Sequence, residues 1–449
     1  MWMCRFAVLF YALLTVSSRF TDGKKKSCLI IILVDGVRWN YLDENITYTG
    51  FRQIADNGVK AEYVTPIFPS NSYPNWYTIV TGRHAENHGF VQNYMYDEKN
   101  GEYFLMAPNK NAFHPHWWNY TEPLWITAEK NGIRVGSYWW DGCQVEIDGI
   151  KASLCKPYIP YSDWINMKDN EKEIFNDILD KCKNNEQQLS LIYYEAVDAT
   201  GHKYGPDTKE RRQALQSIDS DINRLQEEIV KKDLLTKVNL VIVSDHGMSD
   251  TNPTKVTYIN IDRVIKLDDI EMMLDKGSLS MIKPKENKLD EIINDFKKAN
   301  IPGLHVFKKE DIPNHYHFKN HNLVLPILLM ADEGYYINPI NDTLKMIPSS
   351  LKEYLGFHGY DPYRKDKTDM RGIFYARGPN FKSKFVNPPV QMTDHYNIFC
   401  HILGIEPIPN NGSWDRVKDM IYNNGYSASN NPLLILLTIG GIMFIYNLL

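Results

Sequence analysis

Three aspartates in the sequence stand at or shortly after the end of an apolar run, and two of them have a histidine nearby. His202 follows Asp198 by four residues, His246 directly follows Asp245, and Asp35 is the third aspartate. Carboxylates together with imidazoles are the donor set that suits zinc-like divalent ions. One aspartate after a strand is equally well explained as a helix N-cap or a turn former. The three together, with these spacings, predict a site for two metal ions.

One more histidine would complete two ligand sets, and the chain has 13 histidines in all. His358 is our choice, because glycines at positions 356 and 359 allow the backbone around it to approach other elements closely. His84 and His88 are four residues apart but lack the glutamate of the H-E-x-x-H pattern, so we interpret them as structural. A further three stand in a charged stretch and are interpreted as solvated surface: His315, His317 and His321.

Ser72 is the candidate nucleophile. Pro74 fits the first turn of a helix that runs toward Gly82, so Ser72 would lie at or just before the helix N-terminus, where the dipole and free amides favour anions. Without a metal site nearby, a plain N-cap would be the better interpretation. Adjacent zinc would lower the pKa of the hydroxyl and make it a nucleophile near neutral pH. The sequence has no G-x-S-x-G elbow or Walker loop that would compete for this role.

The elements that must position these residues follow an α/β pattern. Residues 29–34, 189–194 and 240–243 are continuous apolar runs, which predict buried parallel strands. Helical patterns lie between them, such as 210–232, where apolar residues recur every three or four positions. Strands that alternate with helices predict a doubly wound, mostly parallel sheet flanked by helices. The carboxyl ends of the strands in such a sheet line a crevice, where the three aspartates would meet.

The stretch from about residue 258 to residue 338 interrupts this alternation and is predicted to be an insertion. It contains a helical pattern at 288–300 and a strand pattern at 323–330. The expected fold class is therefore α/β with an inserted α+β subdomain.

The composition excludes several classes of protein. The 449 residues are 43% hydrophobic and 12% aromatic, which is enough for a substantial core. Lysine and arginine number 50 against 55 acidic residues, and a net charge of −5 argues against a protein that coats nucleic acid. Six cysteines are too few for a disulfide-built module, and no C-x-x-C pair is present. Cys143 and Cys155 flank a turn-like Asp-Gly pair and are the expected disulfide.

The two ends of the chain indicate an extracellular protein. Residues 1–20 have the pattern of a secretory signal peptide, and residues 432–449 have that of a membrane segment. A single span is favoured, and exchange for a glycolipid anchor is the alternative. Residues 24–425 would then form an extracellular catalytic domain that meets the lipid bilayer only through its tail. Four sequons are candidate glycosylation sites: Asn45, Asn119, Asn341 and Asn411.

A larger set of motifs resembles one known family. In chain order the motifs are Val34-Asp35-Gly36, Ser72-Tyr73-Pro74-Asn75, Val80-Thr81-Gly82, His88-Gly89, Met95-Tyr96-Asp97, Asp198 with His202 and Tyr204-Gly205-Pro206, Ser244-Asp245-His246-Gly247-Met248 and Gly356-Phe357-His358-Gly359. Together they resemble the ectonucleotide pyrophosphatase/phosphodiesterases of the alkaline phosphatase superfamily, from about Cys28 to Ser413. The resemblance implies an alkaline-phosphatase-like core and the architecture of the short, membrane-anchored members.

The resemblance also implies two zinc ions and the residues around them. The ligand sets that it implies are Asp198, His202 and His358 for one ion, and Asp35, Asp245, His246 and Ser72 for the other. The family usually has threonine at the position of Ser72 and histidine at the position of Trp76. Serine keeps the hydroxyl, so attack on phosphorus through a covalent intermediate is expected. Asn93 would donate a hydrogen bond to a phosphate oxygen.

The substrate implied by the resemblance is a nucleotide. Tyr73, Trp140 and Tyr158 stand at positions similar to the family's nucleobase slot, where stacking is worth about 1–3 kcal/mol per base. Each of them is equally well explained as a core residue. We expect hydrolysis of extracellular NAD, ATP and dinucleotides to nucleoside 5′-monophosphates. The alternatives are choline or lysophospholipid substrates, a phosphomonoesterase, and a catalytically weak surface binding or adhesion protein; the oligomeric state stays open.

Overall fold

A central sheet of eight strands forms the body of the protein. The computed structural model describes residues 27–44, 46–164, 168–342, 344–348 and 354–422. The expected signal peptide, the expected membrane segment and Asn45 lie outside the described residues. The strands, in spatial order across the sheet, are Phe385–Asn387, Val59–Ala61, Phe374–Arg377, Val238–Val243, Cys28–Val34, Leu189–Tyr194, Val135–Tyr138 and Leu154–Lys156.

The centre of this sheet is parallel, as the apolar runs predict. The strand Cys28–Val34 pairs in parallel with Leu189–Tyr194 on one side and with Val238–Val243 on the other. All three strands are buried along their whole length, because helices cover both faces of the sheet. Phe374–Arg377 is the antiparallel strand among the eight. The prediction of a mostly parallel α/β sheet is confirmed.

Helices flank the central sheet. The helical pattern at 210–232 is confirmed as the helix Lys209–Lys231, whose apolar stripe is buried. The other helices are Thr49–Asn57, Ser72–Thr81, Ala85–His88, Leu124–Lys130, Tyr161–Trp164, Lys168–Lys183, Ala196–Tyr204, Leu289–Ala299, His395–Leu403 and Trp414–Val417.

A second sheet with its own hydrophobic core occupies the region of the expected insertion. Its strands in spatial order are Leu304–Lys308, Ile327–Ala331, Leu279–Pro284, Ile270–Leu274 and Met346–Ile347. The helix Leu289–Ala299 agrees with the pattern at 288–300. The expected strand at 323–330 begins later, at Ile327, because Pro326 has no N–H to give to a ladder. A parallel pair, Thr257–Asn260 with Tyr335–Asn338, completes this part of the fold.

Three short strand pairs lie around the edge of the central sheet. They are Met95–Asp97 with Glu102–Phe104, Val64–Thr65 with Val390–Gln391, and Ser249–Asp250 with Gly356–Phe357. The last pair is antiparallel and carries the chain into the segment that contains His358.

Two disulfides are present among the described residues. The expected bridge between Cys143 and Cys155 is present. The bridge between Cys28 and Cys182 has no counterpart among the sequence predictions, since 154 positions separate the two residues. Cys400 is a buried free thiol. Within the described ranges, no helix has the length and apolar character needed to span a bilayer.

Candidate active site

The three aspartates meet at the carboxyl edge of the central sheet. Asp35 directly follows the first strand, and Asp245 stands two residues after the strand Val238–Val243. Gly36 allows the chain to turn sharply here, since it has a positive φ of 71° and an added Cβ would lie 2.9 Å from Cα of Asp198. This close approach brings the ends of two strands against the helix that carries the third aspartate.

Asp198, His202 and His358 form one group of donor atoms. The Asp-x-x-x-His spacing lies on the helix Ala196–Tyr204, so the two side chains stand one turn apart on the same face. The Nε2 atom of His202 lies 3.4 Å from Oδ2 of Asp198 and 3.1 Å from Nε2 of His358. The Nε2 atom of His358 lies 3.6 Å from Oδ1 of Asp198. The ligand atoms of the three residues are therefore close enough together to hold one metal ion.

Asp35, Asp245 and His246 form a second group. The Nε2 atom of His246 lies 3.4 Å from Oδ1 of Asp35 and 3.2 Å from Oδ2 of Asp245. The carboxylate of Asp245 is held by the backbone N–H groups of Gly36 and His246, and by the indole N–H of Trp76 at 2.7 Å. The ring of His246 stacks on that of His358 with 3.7 Å between centroids, so the two groups are contiguous.

The three histidines of these groups share one orientation. Each Nδ1 lies next to an oxygen that accepts its proton: the carbonyl of Gly356 for His202, the carbonyl of Gly247 for His246 and the amide oxygen of Asn71 for His358. The proton on Nδ1 leaves the lone pair of each ring on Nε2, which faces the aspartates. Metal-binding histidines have this arrangement, because an acceptor for the second ring nitrogen orients the ring.

The buried carboxylates of the site lie close to one another, and cations between them would offset their negative charge. Burial raises the pKa of Asp35, and the nearby carboxylates of Asp245 and Asp198 raise it further. Burial also raises the pKa of Asp198, again with Asp245 contributing. One oxygen of each, Oδ1, is shielded from solvent and has no hydrogen-bond partner among the described residues. Burial lowers the pKa of His246 and His358, which keeps the rings neutral and able to bind metal. These donors fit divalent metal ions.

Ser72 is the first residue of the helix Ser72–Thr81, in the position that the sequence predicts. Its Oγ lies 3.2 Å from Nε2 of His246, beside the second group. The helix ends at Gly82, whose φ of 66° gives the left-handed conformation of a helix C-cap. Ser72 therefore combines a position at a helix N-terminus, where the helix dipole favours anions, with contact to the candidate metal ligands.

Asn93 lies against the same helix N-terminus. Its Oδ1 accepts a 3.0 Å hydrogen bond from the backbone N–H of Tyr73. Since the amide oxygen is used in this way, the Nδ2 group is the part of Asn93 that can donate to another molecule. The side chain is thereby fixed next to Ser72.

The three candidate base-stacking residues have different exposures. Tyr73 and Trp140 are 3% and 2% exposed, and the Tyr73 hydroxyl donates to Asp141 at 2.6 Å. Tyr158 is half-buried, and its hydroxyl donates to Glu195 at 3.0 Å. Of the three, Tyr158 has ring surface that reaches solvent.

The remaining histidines largely match their sequence interpretation. His88 is buried, and both of its ring nitrogens have hydrogen-bond partners, Thr78 and the N–H of Phe90, so its role is structural. His321 is the exception: the prediction of a solvated residue is wrong, because its ring is 6% exposed and packs against Tyr120. The sequons Asn119, Asn341 and Asn411 are exposed.

Two supporting residues had no role in the sequence predictions. Asn71 holds His358 through the 2.9 Å contact to Nδ1, and Tyr193 donates a 2.7 Å hydrogen bond from its hydroxyl to Oδ2 of Asp35. The position of Asn71 directly before Ser72 is a weak indication in the sequence that it belongs to the site. Tyr193 stands inside an apolar strand, where nothing in the sequence distinguishes it from a core residue.

Comparison with protein families places the geometry in context. The sequence model of the family described as Type I phosphodiesterase / nucleotide pyrophosphatase matches residues 29–361. Human ectonucleotide pyrophosphatase/phosphodiesterase family member 5 is 33% identical over 412 residues, which cover 91% of this chain and 81% of the relative. Mouse family member 7 is 31% identical over 92% of this chain and 91% of its own length. Human bis(5′-adenosyl)-triphosphatase ENPP4 is 31% identical over 97% of this chain and 90% of its own length.

Solved structures agree with these matches. Human ectonucleotide pyrophosphatase/phosphodiesterase 5 superimposes with a TM-score of 0.78 at 32% identity, over 88% of this chain and all of the other. The murine protein, in an inactive threonine-to-alanine variant in complex with AMP, has a TM-score of 0.77 at 31% identity, with the same coverage.

Proposed function

This chain belongs to the ectonucleotide pyrophosphatase/phosphodiesterase family of the alkaline phosphatase superfamily, and from that premise we propose that it hydrolyses nucleotides through a covalent Ser72 intermediate. Membership of this family supports a hydrolase activity on phosphodiester or pyrophosphate bonds. The observation that carries the finer proposal is the position of the Ser72 hydroxyl, at a helix N-terminus and 3.2 Å from one of two adjoining groups of metal-binding side chains.

Two zinc ions are the proposed cofactors. The donors for one are Asp198, His202 and His358, and those for the other are Asp35, Asp245 and His246, with Ser72 beside the second. When bound, the ions would supply positive charge that lowers the pKa of a nearby hydroxyl and offsets the charge of phosphate oxygens. Two histidines with one carboxylate, and two carboxylates with one histidine, are donor sets that zinc accepts.

Ser72 is the proposed nucleophile. In the first step a bond forms between its Oγ and phosphorus, and the bond from phosphorus to the leaving oxygen breaks. In the second step water adds to phosphorus, the bond to Ser72 breaks, and a nucleoside 5′-monophosphate leaves. The fixed position of Ser72 at the start of a buried helix orients the hydroxyl for attack, and the positive end of the helix dipole favours the phosphate anion.

Asn93 is the proposed donor to a non-bridging phosphate oxygen. Its amide oxygen is held by the N–H of Tyr73, so the Nδ2 group has a fixed direction before substrate binds. A preorganised donor of this kind stabilises charge that develops on phosphate oxygens in the transition state. Loss of one such donor typically costs about 10²–10³ in turnover.

Extracellular nucleotides such as NAD, ATP and dinucleotides are the proposed substrates. The AMP complex of the murine relative supports recognition of a nucleoside monophosphate by the family, and Tyr158 offers a partly exposed ring for the base. Stacking on Tyr73 and Trp140 stays a prediction, which requires movement of the residues that bury them.

An extracellular location is proposed on two grounds. Two disulfides are present, and disulfides persist in oxidising compartments. The sequence patterns of a signal peptide and a membrane segment agree with this location, with a single span favoured over a glycolipid anchor. Asn119, Asn341 and Asn411 are exposed, as glycosylation requires.

A substrate panel on the purified full-length chain tests the proposal. We expect turnover of NAD, ATP, diadenosine polyphosphates and the p-nitrophenyl ester of thymidine 5′-monophosphate, with little activity on p-nitrophenyl phosphate. EDTA should abolish turnover, and Ser72→Ala should remove it while the thermal unfolding curve is unchanged. Mass spectrometry of acid-quenched enzyme should show a nucleoside 5′-monophosphate esterified to the peptide that contains Ser72.

Other outcomes would point to other functions. Preference for choline or lysophospholipid esters would keep the chemistry and change the substrate class. Preference for the monoester would indicate a phosphomonoesterase. Absence of EDTA-sensitive turnover on all substrates would favour a surface binding or adhesion protein, and activity in Ser72→Ala would refute the proposed nucleophile.

A further inference from the structure

A separate group of metal-binding side chains lies at the hairpin of residues 95–104. Asp97 and Glu102 are directly opposite each other in the register of this hairpin. His114 and His116, from the segment that follows, bring their rings against the two carboxylates. None of these four residues belongs to the two groups at the carboxyl edge of the central sheet.

We propose that these four residues bind one further divalent metal ion, zinc by preference. The Oε2 atom of Glu102 lies 2.8 Å from Nδ1 of His114 and 3.6 Å from Nε2 of His116, which in turn lies 3.9 Å from Oδ2 of Asp97. Zinc binds these atom types at about 2.0–2.2 Å, so donors around one tetrahedral ion are about 3.3–3.5 Å apart. The ligand atoms of Glu102, His114 and His116 all lie within 4.8 Å of one another, and a rotation of the Asp97 side chain toward His116 would complete the set.

Two features of this hairpin favour a bound cation. The Nε2 atom of His116 is shielded from solvent and has no hydrogen-bond partner among the described residues, and such groups are rare. Asp97 and Glu102 form a cross-strand pair of like charge, which destabilises a hairpin. A divalent ion among the four side chains would give His116 a partner and would offset both negative charges.

The surrounding contacts orient the carboxylate of Asp97. Its Oδ1 accepts from the backbone N–H of Lys99 at 3.0 Å, and its Oδ2 accepts from the side chain of Asn100 at 2.6 Å. Contacts of this kind hold a ligand in place around a metal. The side chain of Asp97 is 5% exposed, whereas those of Glu102 and His114 are 38% and 48% exposed. The group therefore has a buried floor and an open side through which an ion can enter from solvent.

An ion here would stabilise one wall of the candidate active site. The hairpin begins two residues after Asn93, and its second strand contains Phe104. The ring of Phe104 packs on that of Tyr73, with 5.0 Å between centroids, and Tyr73 directly follows the candidate nucleophile. The expected role is structural, so metal binding should raise thermal stability and leave the chemical step largely unchanged.

Zinc content of purified full-length protein tests the proposal. The variants are the double variant His114→Gln/His116→Gln and the single variant Glu102→Gln, which keeps both rings and the shape of the hairpin. The matched control is His305→Gln, since His305 is an exposed histidine that pairs with one carboxylate, Asp332, at 3.1 Å. Each protein is loaded with excess zinc, passed through a desalting column and analysed by inductively coupled plasma mass spectrometry.

The wild type and the control should each contain one zinc per chain more than the double variant. Added zinc should raise the Tm of the chelator-treated wild type by more than it raises that of either variant. The test compares the zinc contents of wild type and variants, so its result does not depend on the number of ions bound at the other two groups. Equal zinc content and equal zinc-induced Tm shifts in the wild type and Glu102→Gln would overturn the proposal, even if the double variant fails to fold.

Discussion

The indole Nε1–H of Trp76 donates a 2.7 Å hydrogen bond to Oδ2 of Asp245, and both side chains are buried. Trp76 lies one turn along the helix that begins at Ser72, whereas Asp245 follows a strand of the central sheet. The bond therefore joins the helix of the candidate nucleophile to the second group of metal-binding side chains.

Trp76→Phe should weaken zinc binding at the second group by about 10–100-fold, because loss of a hydrogen bond that orients a ligand has effects of this size. Zinc affinity is measured by competition with a chromophoric chelator, and kcat/KM should fall with it. Trp125→Phe is the matched control, since Trp125 is equally buried and its Nε1 has no hydrogen-bond partner in the described ranges. The same zinc affinity in both variants would contradict a role of Trp76 in positioning Asp245.

Ser72→Thr should retain turnover to within about tenfold of wild type. The hydroxyl is kept, and the added methyl group enters a packed site, where one extra methyl costs about 1–3 kcal/mol. Steady-state kinetics on the p-nitrophenyl ester of thymidine 5′-monophosphate checks this, with Ser72→Ala as the variant that lacks the hydroxyl. If the threonine variant were as inactive as the alanine variant, the position of the serine oxygen rather than the hydroxyl itself would be limiting.

Removal of the Cys28–Cys182 disulfide should destabilise the protein more than removal of Cys143–Cys155. The first closes a loop across 154 positions and the second a loop across 12, so loop-closure entropy gives about 5 and about 3 kcal/mol respectively. The measurement is urea unfolding of the two Cys→Ser double variants. Equal losses of unfolding free energy would show that local strain or residual structure in the unfolded chain dominates.

Asp275→Asn should make stability less dependent on pH. Burial raises the pKa of Asp275 to about 7, although the N–H and the charge of Lys276 act in the opposite direction. Between the usual aspartate value of 3.8 and about 7, the folded protein holds a proton that the unfolded chain has lost. Stability therefore falls as the pH rises through this window, by at most about 1.4 kcal/mol per pH unit.

The asparagine variant has no proton to lose and keeps the side-chain oxygen that accepts from the N–H of Lys276. The free energy of unfolding of this variant, relative to that of wild type, should increase from pH 4 to pH 7 and stay constant above pH 7. Urea unfolding across this pH range measures the difference. Asp268→Asn is the control, because Asp268 is 99% exposed. A wild type that shows the same pH profile as the asparagine variant would rule out the raised pKa.

Several features of the fold were predictable because they depend on local pattern. The apolar runs at 29–34 and 189–194 are buried strands, since a strand covered on both faces is apolar at nearly every position. The helix at 210–232 followed from its apolar period. The start of the strand at Ile327 was misplaced by four residues, because apolar character alone does not reveal where ladder pairing begins.

The sequence by itself determined the residue types at the ends of the strands, and thereby the kind of ion and the kind of nucleophile that the site can hold. Tertiary structure decided that the ring of His246 stacks on that of His358, so that the two groups of donors adjoin, and that Trp76 holds Asp245. It also decided that Tyr73 is buried and that His116 meets two carboxylates. The physical reason is that residue type and period act over a few neighbouring positions, whereas burial and donor geometry depend on contacts between separate elements of the chain.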